Sequence, residues 1–423
     1  MSLRIFGLPS ALVLLLACAA PCDAQTDVAG PPTHYEGHVR VDVPTRTIEA
    51  EWDIQHTVTE DTRSGLGLLL NPAFEVLAVT GPQVASVETG TWDGFAPWTR
   101  IGVTFRPDVT VGSRVSVRVR YRGAPTPEEL GFPIDRITPE WVELNIDGAW
   151  HPIFESVSEV FTAAFDLVID PAWTVVSSGI VSRSADGFRV ENTLPQIDIA
   201  LVAAPDLERR RRGVFELYAR GGDGRSLEAL LDMGGACVAF LNERYGGTHP
   251  ITAANVVVAP RDDTGYARRG FISLSRLDAH TAEGLAGYLC HELAHFWHVG
   301  AGASSPDHWL NESFAEYAAV SFVGARYGAS ARAALREEKE RRADGQPPVW
   351  TPAATERPPH AVLYHKAPLA LLDLEARIGA DAMRRFVAFV FGSRPATTQT
   401  VLDGLEEIAG RDARIWFAER LAR

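Results

Sequence analysis

Cysteine and methionine are scarce in this chain of 423 residues, with four of the first and three of the second. Cys18 and Cys22 lie near the start, so the body of the protein has only Cys237 and Cys290. Both fall on apolar helical stretches and read as two buried thiols. An excess of positive charge is missing too. Lys and Arg number 40 against 54 Asp and Glu, for a net charge of −14, which argues against nucleic acid and anionic membrane surfaces as partners. The one basic run, Arg209-Arg210-Arg211-Arg212, is short and reads as decoration of a solvated linker. There are no internal repeats and no low-complexity tract. After the first 24 residues no segment is long and apolar enough to span a bilayer. What remains is ordinary globular composition, 46% hydrophobic and 22% charged, with length for two or three domains and an ample core.

The first 24 residues have the pattern of an export signal. Arg4 supplies the positive start, and Leu12-Val13-Leu14-Leu15-Leu16-Ala17 is an apolar core too short for a membrane span. Cleavage after Ala24 would give a soluble periplasmic or secreted product. Leu15-Leu16-Ala17-Cys18 also fits a bacterial lipobox, so the alternative is an outer-membrane lipoprotein anchored through Cys18. The sequence leaves the oligomeric state open.

From His34 to about Pro205 apolar residues alternate with period two, as in Val115-Ser116-Val117-Arg118-Val119-Arg120-Tyr121, and Gly, Pro and Asp punctuate the runs. This pattern predicts an antiparallel β-domain over 25–206. Helical periodicity takes over in 207–423: Leu227 to Tyr245, a charged helix from about Ala331 to Arg342, and helices near Leu369–Ile378, Ala382–Phe391 and Thr398–Ala409. A strand is expected at Asn255–Ala259, and a Pro-rich loop from Gln346 to Pro359. Strands first and helices later indicate an α+β architecture.

Within the helical part, His291-Glu292-Leu293-Ala294-His295 spells H-E-x-x-H. Two histidines four apart on a helix share one face, about 6 Å apart along the axis, and can point at one metal ion. Zinc takes imidazole nitrogens at roughly 2.0–2.1 Å, and a catalytic site adds a third protein ligand and keeps one position open. Glu292 suits the general base that takes a proton from a water the metal activates. Cys290 points about 100° away from His291 and is a poor ligand. Two histidines alone are insufficient, so a third ligand must come from elsewhere; 17 positions after His295 the chain reaches Glu312, in Trp309-Leu310-Asn311-Glu312.

Trp309-Leu310-Asn311-Glu312-Ser313-Phe314-Ala315-Glu316-Tyr317 resembles the W-L-N-E-G-F-A-E-Y segment of the alanyl aminopeptidase family, gluzincins that bind zinc with two histidines and a glutamate. Trp297 matches the tryptophan after that family's second histidine. Leu363-Tyr364-His365-Lys366 resembles its Y-E-K-G stretch, whose tyrosine donates a hydrogen bond to the tetrahedral oxyanion. Gly410-Arg411-Asp412 and Trp416-Phe417 resemble the end of its catalytic domain. The resemblance implies zinc on His291, His295 and Glu312, Glu292 as base, and Tyr364 at the oxyanion. It also implies a β-sandwich followed by a thermolysin-like domain, and peptide substrates. Glu316, one turn after Glu312, is a candidate to orient a ligand histidine. The family's further helical domain has no counterpart here, and a more open cleft is expected.

Two departures concern the substrate. The family's G-x-M-E-N strand holds the free α-amine through its glutamate. Aligned on Gly270-Phe271-Ile272, the matching stretch is Gly265-Tyr266-Ala267-Arg268-Arg269, with Ala267 at the glutamate. Gly265 would line the peptide, and Arg268 and Arg269 would either face an acidic or blocked group or be solvated loop residues, with the amine then held by a second acid alone. Counting back from Trp150-His151-Pro152 places Glu143 at the family's second acidic anchor. The expectation is therefore an aminopeptidase-like zinc hydrolase with an altered amine anchor. The alternatives are a zinc-containing peptide-binding module with vestigial activity and a non-peptide hydrolase of the same fold, since the family includes an epoxide hydrolase.

Overall fold

Alternating burial builds the N-terminal half. Strand Thr47–Thr57 buries every second residue from Ile48 to His56, and Arg114–Gly123 does the same from Val115 to Tyr121. The computed structural model describes residues 33–423 except 95–96, 126–134, 158, 222–223, 248, 262–264, 276, 298–299 and 303–304. The expected export signal and Cys18 lie outside the described residues.

These strands belong to a seven-stranded sheet. It packs against a four-stranded one, with Trp52, Ile54, Val117 and Val119 meeting Leu66, Leu68, Ile101 and Val103 in one core. Pairing within the sandwich is antiparallel with one exception. Thr33–Asp42 runs parallel to Phe161–Val168, an arrangement open to it because the intervening chain supplies the long crossover that parallel neighbours need. This corrects the purely antiparallel expectation.

A third sheet, of four strands, has two working faces. Along Trp141–Leu144, Val142 and Leu144 join the sandwich core. Trp141 points the other way, with Val202 and Ala204, onto Val257 and Phe271 of the next sheet. Period-two geometry thus puts Glu143 on the Trp141 face, toward the C-terminal half.

That half opens with a mixed five-stranded sheet, ordered Leu207–Arg212, Phe215–Arg220, Ala254–Val258, Phe271–Leu274, Tyr266–Arg268. The first strand corrects the linker reading of the arginine run. Arg209 bonds Glu216 at 2.5 Å, Arg210 bonds Glu228 at 2.9 Å, and Arg212 pairs with Asp232. Acidic neighbours neutralise the run, so it can pair as a strand.

Eight helices follow among the described residues: α1 (Gly224–Leu241), α2 (Ala282–Ala294), α3 (Trp309–Tyr327), α4 (Ala329–Ala343), α5 (Ala367–Ile378), α6 (Ala380–Ser393), α7 (Thr398–Ala409) and α8 (Arg411–Leu421). None is long and apolar enough to cross a membrane. Val256, Ile272 and Leu274 of the sheet share a core with Leu289, Leu293, Phe314 and Leu371 of the helices. Packing α1 on α2 brings Cys237 and Cys290 to a Cα separation of 5.9 Å, and they form a disulfide. The expectation of two thiols is overturned, because helix packing meets the distance a bridge requires. Bridging residues 53 apart in sequence restricts the unfolded chain by an amount worth about 4 kcal/mol.

Candidate metal centre

Helix α2 starts at a proper cap, with the Thr281 hydroxyl accepting from the Gly284 N–H at 3.1 Å. It buries Ala286, Leu289, Cys290 and Leu293, and its last turn tightens to a 3-10 turn at His295–Trp297. The disulfide fastens it one residue before His291. Helix α3 follows the turn Pro306–His308, which Ser305 caps. It is anchored at its first residue, where Trp309 Nε1 donates to Thr398 Oγ1 at 2.9 Å. The two helices therefore present His291, His295 and Glu312 from fixed backbones.

Their ligand atoms form a triangle. His291 Nε2 lies 3.1 Å from His295 Nε2, and Glu312 Oε2 lies 3.4 and 3.6 Å from the two nitrogens. Tetrahedral ligands at zinc distances sit about 3.3 Å apart. The donor set, two imidazoles and a carboxylate, is also one zinc takes, so the residues fit that ion, and all three line a cleft. Among the described residues no other group of three such side chains converges in this way.

The field is shaped for a cation. Burial works to lower the His291 pKa, but hydrogen bonds to Glu312 and Glu316 outweigh it and carry the value up to about 10. Burial would raise the pKa of Glu312, yet the surrounding histidines hold it well below the usual carboxylate range. Glu316 is likewise resisted by burial, but Lys339 and His291 hold it down at about 2. Glu316 Oε2 sits 2.8 Å from His291 Nδ1 and fixes that ring with its other nitrogen toward Glu312. Lys339 bonds the second Glu316 oxygen and donates to the Tyr364 carbonyl at 3.1 Å. Replacing Glu316 by Ala is expected to weaken zinc binding roughly 10–100-fold, read by competition with a chromogenic chelator.

Tyr364 lies in the turn Val362–Lys366, its hydroxyl donating to Glu312 Oε2 at 2.7 Å. Its ring stacks on His360 and on His291. Burial, then the Glu312 charge, raises its pKa far above that of a free phenol, so it stays a donor. Glu292 shares the cleft wall with it. Burial raises the Glu292 pKa, and His291 and His295 only partly offset this. A base whose pKa moves up toward neutrality transfers protons efficiently in both directions.

No family model matches the sequence, and no curated protein does. Solved structures do match in shape. An M1 zinc metallopeptidase from Deinococcus radiodurans aligns at 17% identity, over 92% of this chain and 94% of that one, with a TM-score of 0.69. A two-domain M1 zinc metallopeptidase mutant bound to L-arginine aligns at 16% identity, over 93% and 94%, with a TM-score of 0.71. The fold is that of the M1 zinc metallopeptidases. Native leukotriene A4 hydrolase from Saccharomyces cerevisiae also aligns, at 15% identity and a TM-score of 0.66, over 89% of this chain but 64% of that one.

Beside the metal centre the M1 fold here has a cleft of about 470 Å³. It gathers some of the expected substrate residues and not others. Gly265, Arg268 and Arg269 line it with His291, Glu292, His295, Glu312 and Tyr364. Glycine is required at 265, because a Cβ there would collide with the Tyr288 hydroxyl and come within 2.7 Å of the Ser273 carbonyl. Arg268 is already engaged, its Nε donating to the buried Asp198 at 2.5 Å. Glu143 does not line the cleft. It is fully buried and accepts from Ser273 Oγ at 2.7 Å, Trp141 Nε1 at 3.0 Å and Arg261 Nε at 3.3 Å. The alignment that named Glu143 an amine anchor meets a carboxylate occupied by its own protein.

Several contributors to this candidate centre were not singled out in the sequence. His308 Nε2 is 3.6 Å from the outer oxygen of Glu312, one turn before it at i,i+4, and that spacing was the available signal. Ser313, where the resembling family has glycine, donates to the Leu363 carbonyl at 2.8 Å and ties α3 to the Tyr364 turn. Lys339 is buried on a helix whose composition reads as solvated. Arg394, at the end of α6, also lines the cleft.

Proposed function

We propose that this protein is a zinc-dependent peptidase whose cleft does not anchor a free α-amine through the usual glutamate. One observation carries the reading: a triangle of ligand atoms with edges of 3.1, 3.4 and 3.6 Å opens on a cleft walled by Glu292 and Tyr364. Zinc held there by His291, His295 and Glu312 would polarise the scissile carbonyl and acidify a water. Glu292 takes the proton of the attacking water and passes it to the leaving amine nitrogen. Tyr364 turns its hydroxyl from Glu312 to the substrate oxygen as charge grows there. Ser313 and Lys339 keep the Tyr364 turn in place, and Glu316 holds the His291 ring.

The altered anchor follows from which acids face the cleft. Among the described residues that line it, the carboxylates are Glu292 and Glu312, both occupied by the chemistry. Ala267 stands where the family's amine-binding glutamate would be, and Glu143 is committed to Arg261 and Ser273. The presence of both a positioned base and a positioned donor favours turnover over a bare peptide-binding role. The Cys237–Cys290 disulfide supports an oxidising compartment, in keeping with the export signal read at residues 1–24.

The test is a set of matched peptides, free and N-acetylated, given to zinc-loaded protein with cleavage followed by mass spectrometry. Acetylation is expected to change kcat/KM less than about threefold, because no anchoring ion pair is lost. A strong preference for the free amine would return the protein to ordinary aminopeptidase behaviour.

A further inference from the structure

Three arginines line the cleft, and they differ in what faces them. Arg268 is held by Asp198. Arg269, the next residue, forms no ion pair among the described residues. Its guanidinium lies 5.5 Å from the centroid of the Phe296 ring, beside the candidate ligand His295, and its buried Nε has no hydrogen-bond partner. Arg394 approaches from the end of α6, and it too forms no ion pair among the described residues. Burial and then the Arg394 charge lower the Arg269 pKa, and burial lowers that of Arg394. Both half-buried side chains line the same cleft.

The backbone at Arg394 points the same way. It is the C-cap of α6 in the left-handed region, φ 50° and ψ 57°, where glycine is the usual residue. The Arg394 carbonyl accepts from the N–H of Gly300, another cleft residue, at 3.3 Å. A helix C-terminus accounts for a cation at this position. It does not account for a second cation on a different element of the same cleft, also without an ion pair among the described residues, in a chain of net charge −14. Two half-buried like charges in one cleft, with no ion pair among the described residues, suit an incoming carboxylate, which guanidinium groups hold with forked hydrogen bonds.

We propose that Arg269 and Arg394 form a carboxylate-binding subsite, and that the peptides this cleft turns over carry a carboxylate near the scissile bond. The inference rests on the peptidase reading above. The carboxylate is either the peptide's own C-terminus or an Asp or Glu side chain. Both sources can reach it, because Gln196, Arg269 and Phe296 also line an adjoining groove of about 620 Å³, which gives a longer chain room to continue.

The test uses the full chain loaded with zinc and three matched peptides: a free C-terminal acid, its C-terminal amide, and an amide carrying Glu in place of Gln beside the scissile bond. The acid, the Glu peptide or both are expected to exceed the neutral amide about tenfold or more in kcat/KM, mostly through KM. Which of them does so identifies the source. In the Arg269→Gln/Arg394→Gln variant that preference should fall to near unity while zinc content holds. Arg269→Lys should retain part of it, and serves as the readout if the double variant does not fold. Equal rates for all three peptides, or an undiminished preference in a folded variant, overturn the subsite. If no peptide is cleaved, the peptidase reading fails separately. The subsite is then decided by calorimetric titration of the acid and amide peptides into the zinc-loaded Glu292→Gln protein, where equal affinities overturn it and tighter binding of the acid supports it.

Discussion

Glu292→Gln protein is expected to bind equimolar zinc and to lose roughly 10²–10⁴-fold in kcat. The substitution keeps shape and volume on α2 and removes only the ability to take a proton. Zinc binding should survive because the ligand triangle is built from His291, His295 and Glu312, and Glu292 is no member of it. Turnover should not, because no other carboxylate on the described cleft wall is free to replace it: Glu312 is the one other acid there, and it is surrounded by His291, His295 and Tyr364. KM should change little, since Gln still fills the same space against the substrate. Metal content by atomic absorption and single-turnover kinetics check the two halves independently. A Glu292→Gln protein as active as its parent removes the base assignment and leaves the metal site standing.

Glu312→Ala acts on the other half and should cost more than any outer contact. It removes one of three ligands, and it strips His291 and His295 of the carboxylate that makes their surroundings favourable to a cation. It also leaves the Tyr364 hydroxyl without its acceptor. Zinc affinity is expected to fall well beyond the roughly 10–100-fold anticipated for an orienting residue such as Glu316. The protein should leave dialysis without metal and show only background hydrolysis. A protein that still holds zinc as tightly as the parent would mean that the ion sits elsewhere.

Part of this centre was readable through short-range periodicity, while the ligand role of Glu312 and the place of Tyr364 were read through the resemblance of their segments to a known family. His291 and His295 are a helical turn apart, as are Glu312 and Glu316, and those spacings announce a common face before any coordinates exist. The strand pattern of the N-terminal half was legible for the same reason, since burial alternates visibly in Val115-Ser116-Val117-Arg118-Val119. The parts that were not readable depend on partners far away in the chain. Glu143 is committed to Arg261, 118 residues on, and Arg268 to Asp198, 70 residues back. No local pattern distinguishes such a residue from one that waits for substrate. The Arg209–Arg212 run misled because its neutralising acids, Glu216, Glu228 and Asp232, lie on a neighbouring strand and helix. The disulfide was missed because two lone cysteines on separate helices carry no signal of their distance.

Two buried ion pairs tie the halves together. Glu143 with Arg261, and Asp198 with Arg268, cross from the third sheet and its neighbourhood to the C-terminal sheet, with both carboxylates wholly buried. Removing one partner of such a pair would strand the other charge in a dry seam, at a cost of about 3–5 kcal/mol. A single substitution at any of these four positions would therefore be felt in the joint between the halves, away from the ligand triangle itself.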